Sequence, residues 1–303
     1  MTAIAGLHHV TAISGWPQTN ADFYTGPLGQ KLVKRTVNFD DPGTYHLYYG
    51  NETGAPGTIM TFFPFADAGP GRAGPGMASA LAYAARPKAF EGWMDRLALA
   101  SRAFDGPRER FGRRVLTLSD PDSLAVEIAE TEGDAPEDGF HSVTLWLDDT
   151  DPTARLMTEV MGYETVGEER GHDGTRLRLR TKGNERGAVV DLLRREVPSI
   201  GRQGAGTIHH VAFRARDADE QRDWQERLRS VGLNVTPVID RQYFKAIYFR
   251  EPGGVLFEIA TDPPGFAVDE APEALGQALK LPAQYEPYRD RIEGALPPLE
   301  LRP

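Results

Sequence analysis

Two His-His dipeptides are the residues of this chain best suited to bind a metal. The first is His8-His9 in the segment Leu-His-His-Val-Thr, and the second is His209-His210 in the segment Ile-His-His-Val-Ala. An apolar segment that contains Glu258 follows the second dipeptide at the distance of a strand hairpin. Two imidazoles and one carboxylate are the ligand set of non-haem Fe(II) sites. The sequence therefore predicts a metal centre built from repeated units.

Composition limits the class of protein to which this chain can belong. The chain has 303 residues, a net charge of -10 and no cysteine. Its length suits two domains of about 130 residues each. Without thiolates, His, Asp and Glu are the strong ligands available, so a bound metal would be hard or borderline. The negative charge and the lack of a Lys/Arg stripe argue against a nucleic-acid partner.

The apolar segments are too short for a membrane protein. No window approaches the roughly 18 apolar residues that a membrane span requires. The amino terminus shows no secretory signal, because a basic region and an apolar region are both missing before Gly6. We therefore expect a cytoplasmic protein without a membrane partner. A homo-oligomer is expected only from the general frequency of such assemblies.

Four units of similar length predict an α+β fold in which each unit has the element order βαβββ. The units span 6–65, 76–130, 139–195 and 206–262, with connectors at 66–75, 131–138 and 196–205. The predicted elements include helices at 17–24, 88–98, 152–161 and 218–231, and strands of unit four at 234–239, 244–250 and 255–261. A tail, 263–303, contains a predicted amphipathic helix at 287–296.

Strand alternation indicates which histidines can share a site. Successive side chains of a strand point to opposite faces, so His9 and Thr11 share one face and His8 lies on the other. The same alternation places His210 and Glu258 on the faces with small neighbours, whereas the opposite faces are bulkier and suit packing against a helix. We therefore expect these three ligand candidates to point into the concave side of a sheet, and their dipeptide neighbours to point away from it.

Over residues 6–262 the chain resembles the vicinal oxygen chelate superfamily, which includes glyoxalases, bleomycin-resistance proteins and dioxygenases. In that superfamily, βαβββ modules pair so that curled sheets surround a metal held by first and last strands. The resemblance implies four βαβββ modules that form two vicinal oxygen chelate domains with curled mixed sheets. The expected regions are 6–130 and 139–262, followed by the tail at 263–303.

Each module of that superfamily can supply one ligand from its first strand and one from its last, so the units can be compared. The candidates are His9 and Thr61 or a neighbour in unit one, Ser79 and Glu127 in unit two, Ser142 and Asp191 in unit three, and His210 and Glu258 in unit four. Only units one and four together give two histidines and one carboxylate without an extra acid. We therefore expect the two ends of the chain to meet at a single metal site, with Glu127 as the main competing ligand.

The His-His openings, together with Asp-Arg-Gln-Tyr-Phe at 240–244 and Tyr248, look like the hydroquinone-cleaving branch of the ring-cleavage dioxygenases. That resemblance implies Fe(II), or Mn(II), at His9, His210 and Glu258. It places four residues around an aromatic substrate: His8, His209, Arg241 and Tyr248. The implied reaction is an extradiol-type cleavage that inserts both atoms of O2 into a hydroquinone or catechol without an organic cofactor.

Two other functions stay open. A glyoxalase-type isomerase or lyase would use Zn(II), Ni(II) or Mn(II) without O2, but such sites usually have a fourth protein ligand, and Thr61 is not a strong one. A non-enzymatic protein that sequesters small molecules would need no metal, and the paired histidines count against it. His46, His141 and His172 match no repeated pattern and are interpreted as structural.

Overall fold

The computed structural model describes residues 3–131, 138–182 and 186–301, and within them each predicted unit has the order βαβββ. Unit one consists of β1 (Leu7–Ser14), α1 (Pro17–Thr25), β2 (Lys31–Asn38), β3 (Asp41–Gly50) and β4 (Ile59–Pro64). Unit two consists of β5 (Met77–Ala85), α2 (Pro87–Leu99), β6 (Phe104–Arg110), β7 (Arg113–Ser119) and β8 (Ala125–Glu130).

Units three and four follow the same order. Unit three consists of β9 (Phe140–Trp146), α3 (Asp151–Arg155) with a π-helical continuation (Leu156–Val160), β10 (Glu164–Gly171), β11 (Gly174–Arg180) and β12 (Val189–Arg194). Unit four consists of β13 (Thr207–Ala215), α4 (Ala218–Ser230), β14 (Ile239–Asp240), β15 (Phe244–Arg250) and β16 (Leu256–Pro264). Most of the predicted connector at 131–138 lies outside the described residues.

The strands form two eight-stranded mixed sheets. The terminal sheet joins units four and one in the order β14-β15-β16-β13-β1-β4-β3-β2, and the central sheet joins units three and two in the order β10-β11-β12-β9-β5-β8-β7-β6. In each sheet the two first strands pair antiparallel, and each of them pairs parallel with the last strand of its own unit. The predicted α+β class with curled mixed sheets is confirmed.

Unit one therefore pairs with unit four, as the positions of the candidate ligands suggest. The regions 6–130 and 139–262 each supply one unit to each sheet. As a division of the sequence into domains, these two regions stay a prediction.

Helix α4 illustrates how the sequence directs the packing of a unit. The Asp217 side chain accepts hydrogen bonds from two backbone N–H groups of the first turn and caps the helix. Gln221 and Trp224 lie on the buried face of the helix. The Gln221 amide donates to the carbonyls of Lys245 and Ile259, so the helix covers the back of the terminal sheet and leaves the concave face to other side chains.

Two strands differ from the predictions. The predicted strand at 234–239 is reduced to β14, because Pro237 has no backbone N–H to donate to a neighbouring strand. Thr236 still exchanges hydrogen bonds with the Tyr248 backbone, at 3.0 Å in both directions. Strand β6 completes the βαβββ order of unit two, where the sequence itself indicates strands only at 113–119 and 123–129. The sequence of β6 contains Gly106-Pro107 among charged residues, and the strand lies at the edge of the central sheet.

The tail packs against the terminal sheet. Its predicted helix appears as α5 (Arg289–Ala295), preceded by short 3-10 turns. Leu275 and Leu281 are buried, and the Lys280 backbone N–H donates to the Arg35 carbonyl at 2.9 Å. Within the described residues, no helix combines the length and the apolar character that a membrane span requires.

Candidate metal centre

Three potential ligand atoms from units one and four converge on the concave side of the terminal sheet. The His9 Nε2 atom lies 3.4 Å from His210 Nε2 and 3.5 Å from Glu258 Oε2. The His210 Nε2 atom lies 3.0 Å from the same carboxylate oxygen. All three side chains are buried. In the described part of the chain, no other three His or acidic side chains bring their ligand atoms together in this way.

The Glu258 carboxylate indicates that this cluster suits a cation. Both of its oxygens are buried and accept no hydrogen bond from the described residues, although His210 Nε2 lies 3.0 Å from Oε2. A buried carboxylate without a partner is strongly disfavoured. Ligand atoms about 2.1 Å from a metal and at right angles are separated by about 3 Å. This value is close to the 3.0, 3.4 and 3.5 Å between the three ligand atoms. The donor set therefore fits a divalent cation with three protein ligands.

The protonation states of Glu258 and His210 also suit the coordination of a cation. Burial raises the pKa of Glu258, but the neighbouring imidazoles, with His9 first, outweigh this effect and hold the pKa below its ordinary value. Burial lowers the pKa of His210, which keeps its imidazole neutral. A carboxylate anion and a neutral imidazole are the forms that coordinate metals.

Each His-His dipeptide contains a β-bulge, which strand alternation could not predict. In β1, Leu7 and His9 pair with the consecutive residues Phe213 and Ala212, so His8 is the extra residue. In β13, the consecutive residues Thr11 and Ala12 of β1 pair with His210 and Ile208, so His209 is the extra residue. A bulge re-aims the side chains around it. Each bulged histidine therefore lies against its neighbour in the sequence and does not point to the opposite face.

The two bulged histidines contact the candidate ligands through ring nitrogens. The Nδ1 atoms of His8 and His9 are 2.9 Å apart, and those of His209 and His210 are 2.8 Å apart. Burial, followed by the adjacent histidine, lowers the pKa of His8 to about 3 and that of His209 to about 4. Both rings are thus neutral, and the Nδ1 atom of each can accept a hydrogen bond from the protonated Nδ1 of the candidate ligand, which fixes that ligand's tautomer.

A cavity of about 430 Å³ opens over the three candidate ligands. Its apolar wall consists of Ile13, Phe39, Phe63, Phe65, Phe244 and Leu256. The predicted residues His209, Arg241 and Tyr248 also line the cavity, whereas His8 does not. His8 instead packs against the Phe244 ring, with centroids 5.3 Å apart. The cavity has the size and apolar character of a small aromatic ligand site.

Arg241 and Tyr248 form the polar side of this cavity. Tyr248 pairs with Glu258 across the β15–β16 hairpin. The Arg241 Nε donates to the Tyr248 hydroxyl at 3.2 Å, and its Nη1 donates to the Asp40 carboxylate at 3.2 Å. Burial and the Glu258 charge raise the pKa of Tyr248, so the phenol keeps its proton.

His46 also lines the cavity, although the sequence interpretation treated it as structural. The Tyr48 hydroxyl lies 2.8 Å from His46 Nδ1, and His46 Nε2 lies 2.5 Å from the Thr61 hydroxyl, which is 3.3 Å from the Thr11 hydroxyl. Burial lowers the pKa of His46 well below its ordinary value. The sequence signal that could have identified His46 is its spacing of two residues from Tyr48 on β3, because this spacing places both side chains on one face of the strand.

Comparison with known proteins identifies the family. The family model of the Glyoxalase/Bleomycin resistance protein/Dioxygenase superfamily matches residues 6–128 and 139–259. The chain belongs to this superfamily. It is 49% identical to "Putative ring-cleaving dioxygenase MhqO" of Bacillus subtilis (strain 168), covering 98% of this chain and 97% of that protein. It is 35% identical to the chlorohydroquinone/hydroquinone 1,2-dioxygenase of Sphingobium indicum, covering 95% of each.

Two solved structures have a fold similar to that of this chain. A crystal structure of a Bacillus subtilis protein matches with a TM-score of 0.92 and 48% identity, covering 100% of this chain and 99% of that one. Glyoxalase I from Zea mays matches with a TM-score of 0.65 and 15% identity, covering 85% of this chain and 92% of that one. The likeness to glyoxalase I concerns the fold alone.

Proposed function

We propose that this protein is a ring-cleaving dioxygenase that binds Fe(II) at His9, His210 and Glu258 and opens the ring of a hydroquinone. The observation that carries the proposal is the three-ligand cluster, whose buried carboxylate has no hydrogen-bond partner among the described residues, beneath an apolar cavity. The names of the two relatives support ring cleavage as the reaction and a hydroquinone as the substrate class. Mn(II) has overlapping ligand preferences and is the alternative metal.

Three protein ligands leave coordination positions free for other molecules. When bound, Fe(II) supplies a place where a substrate oxygen and O2 meet and exchange electrons. The protein supplies an apolar wall for the ring, in which the centroid of the Phe244 ring lies 4.9 Å from that of the His9 ring. The expected cleavage lies between a hydroxyl-bearing carbon and its neighbour.

Arg241 and Tyr248 are placed to bind the oxygen of the substrate. Because Arg241 donates to the Tyr248 oxygen, the phenolic hydrogen remains available for an acceptor in the cavity. The guanidinium, a permanent cation, stabilises a phenolate and any negative charge that develops during ring opening. Together they orient the ionised oxygen of the ring toward the metal ligands.

The two bulged histidines take different roles in this proposal. His209 accepts from His210 through Nδ1, so its remaining N–H serves the cavity, which His209 lines. It would donate a hydrogen bond to the substrate. His8 does not line the cavity and accepts from His9, so it would hold that ligand in the required tautomer.

The test is anaerobic loading with Fe(II) or Mn(II), followed by oxygen-electrode recording with a panel of hydroquinones and catechols. We expect oxygen uptake that matches ring opening, and a product that carries two labelled atoms from ¹⁸O2. Absence of oxygen uptake together with isomerisation of a hemithioacetal would contradict the proposal and favour a glyoxalase-type enzyme.

A further inference from the structure

We propose that the C-terminal tail holds Arg241 in its position in the cavity and that Asp269 is the positioning residue. The role of Arg241 in substrate binding rests on the proposed function, whereas the contacts of the tail do not. Four observations lead to this inference: the backbone of the Arg241 loop, the hydrogen bonds of Asp269, the burial of Lys34 and the link from Tyr285 to Phe39.

The loop that carries Arg241 has a backbone that needs outside support. Gln242 has φ of 65°, a left-handed conformation that residues with a side chain rarely adopt. The loop closes tightly, since the Tyr243 N–H donates to the Arg241 carbonyl at 2.8 Å and the Arg241 N–H donates to the Phe244 carbonyl at 2.9 Å. Such a backbone persists only where its surroundings fix it.

Asp269 of the tail contacts both residues that follow Arg241. One oxygen of its carboxylate, Oδ2, accepts from the Gln242 side-chain amide at 2.8 Å and from the Tyr243 hydroxyl at 3.0 Å. Burial, followed by the Asp269 charge, raises the pKa of Tyr243, so this hydroxyl stays protonated and donates. Asp269 therefore ties the loop at two consecutive side chains.

Asp269 is itself fixed by a buried cation of the terminal sheet. The Lys34 ammonium on β2 donates to the other oxygen, Oδ1, at 2.6 Å and also pairs with Glu270. The Lys34 side chain is fully buried, with 0% exposure, and its ammonium lies 4.9 Å from the centre of the Tyr243 ring. Lys34, Asp269 and Tyr243 thus join β2, the tail and the Arg241 loop at one point.

The tail also supports the segment that faces Arg241. The Tyr285 hydroxyl donates to the Phe39 carbonyl at 2.7 Å. The next residue, Asp40, accepts from Arg241 at 3.2 Å, and both Phe39 and Asp40 line the cavity. The tail therefore contacts both segments whose side chains meet at Arg241. A misplacement of about 1 Å in a positioned group can cost about a hundredfold in rate.

Two substitutions separate positioning from general stability. Asp269→Ala removes both hydrogen bonds to the loop, and Tyr243→Phe removes one of them while it keeps the ring. Glu273→Ala is the matched control, because Glu273 is an exposed acid of the same tail. We expect the KM for hydroquinone to rise about tenfold or more in Asp269→Ala, and less in Tyr243→Phe, at unchanged metal content. Glu273→Ala should keep the wild-type KM.

A double-mutant cycle with Arg241→Ala tests the route of the effect. If Asp269 acts through Arg241, Asp269→Ala has no further effect on KM once Arg241 is absent. If Asp269→Ala raises KM by the same factor whether or not Arg241 is present, the proposal is overturned. If Asp269→Ala fails to fold, Tyr243→Phe carries the same cycle.

Amide hydrogen exchange provides a readout that is independent of catalysis. We expect the peptide covering 240–244 to exchange at least about tenfold faster in Asp269→Ala and Tyr243→Phe than in the wild type or in Glu273→Ala. Equal exchange in all four proteins would overturn the proposal. If the wild type consumes no oxygen with hydroquinones, the proposed function fails, and the exchange experiment still decides the role of the tail.

Discussion

The terminal and central sheets share one strand order and one pairing pattern but differ in how they treat the carboxylates of their closing strands. In the terminal sheet, Glu258 pairs with Tyr248 on the neighbouring strand. The equivalent residue of the central sheet, Asp191, pairs with Arg178. The Arg178 guanidinium donates to both oxygens of Asp191 at 2.8 Å, whereas neither oxygen of Glu258 has a hydrogen-bond partner among the described residues.

In unit two of the central sheet, an arginine also pairs with the carboxylate of the closing strand. Arg110 donates to both oxygens of Glu127 at 2.7 and 2.8 Å. The cavity on this side is about 170 Å³, smaller than the 430 Å³ cavity of the terminal sheet. Guanidinium groups thus supply the positive charge that a metal would supply in the terminal sheet. A closing-strand carboxylate alone is therefore a poor indicator of a metal site.

The bulge of the first strand is common to both sheets. In β5 and β9 the extra residues are Ser79 and His141, at the places that His8 and His209 occupy in the terminal sheet. The bulge is therefore a property of the fold, and the terminal sheet places histidines in it. The sequence interpretation took Ser79 as the ligand position of unit two, but the register places Ala80 there, because the bulge shifts the alternation by one residue.

The largest expected effect comes from removing a histidine of the terminal sheet. His9→Ala and His210→Ala should each lose bound Fe(II), because two ligands cannot replace the lost nitrogen in this buried cluster. Metal analysis after anaerobic loading and desalting measures this. Ser142→Ala, at the position equivalent to His210, is the control and should retain the metal. Full metal content in His9→Ala would refute the pairing of the two chain ends at the metal.

A second prediction concerns Thr61, which pairs with Thr11 as Glu258 pairs with Ala212. Thr61→Glu places a carboxylate opposite Glu258 and should add a fourth protein ligand. We expect metal retention to persist while oxygen uptake falls at least about tenfold, since a coordination position is no longer open. Thr61→Gln has the same size without the charge and should reduce uptake less. Equal uptake in the two variants would argue against coordination by residue 61.

A third prediction concerns the arginine of the central sheet. Arg178→Ala leaves the Asp191 carboxylate buried with only the more distant Arg176, at 3.5 Å. We expect the free energy of unfolding to fall by about 3–5 kcal/mol, as for other broken buried pairs, with oxygen uptake per bound metal unchanged. Urea denaturation measures the change. Arg170→Ala breaks an exposed pair with Glu196 and should cost no more than about 1 kcal/mol.

The smallest expected effect is a pH dependence that originates in the central sheet. Burial, followed by the Arg178 charge, lowers the pKa of His141 to about 3, below its value of about 6.5 in an unfolded chain. As the pH falls from 6.5 toward 3, the unfolded chain binds a proton that the folded protein does not. The free energy of unfolding therefore falls, by less than about 1.4 kcal/mol per pH unit for this one group.

His141→Gln removes this proton uptake and should make the fall in stability with decreasing pH shallower. Urea denaturation at pH 7 and pH 5 measures the two slopes. Parallel curves for the wild type and His141→Gln would show that His141 titrates normally in the folded state.

The sequence was sufficient for the fold class and for the candidate ligands because both are repeated. His9 and His210 occur in matching segments, and Glu258 follows at hairpin distance, so residue type and spacing together pointed to one cluster. His46 occurs once and matches nothing elsewhere, so no repeat could single it out. The bulges were invisible because they depend on the register between strands that are far apart in the sequence.

The contacts of the tail and of the arginines could not be predicted either, because they join segments that are not adjacent in the sequence. The contact of Asp269 with the Arg241 loop depends on how the tail folds back, which no local pattern determines. Arg178 pairs with Asp191 across neighbouring strands, and only the observed register reveals that it takes the place of Tyr248.

The antiparallel contact between β1 and β13 has a consequence for biosynthesis. His9 and His210 are separated by 201 positions. At about 5–20 residues per second, a ribosome completes His210 at least about 10 s after His9. During that interval β1 has no β13 to pair with, while the strands of the central sheet are completed earlier. The nascent chain therefore carries one part of the candidate metal site, His9, on an open sheet edge until its last module leaves the exit tunnel.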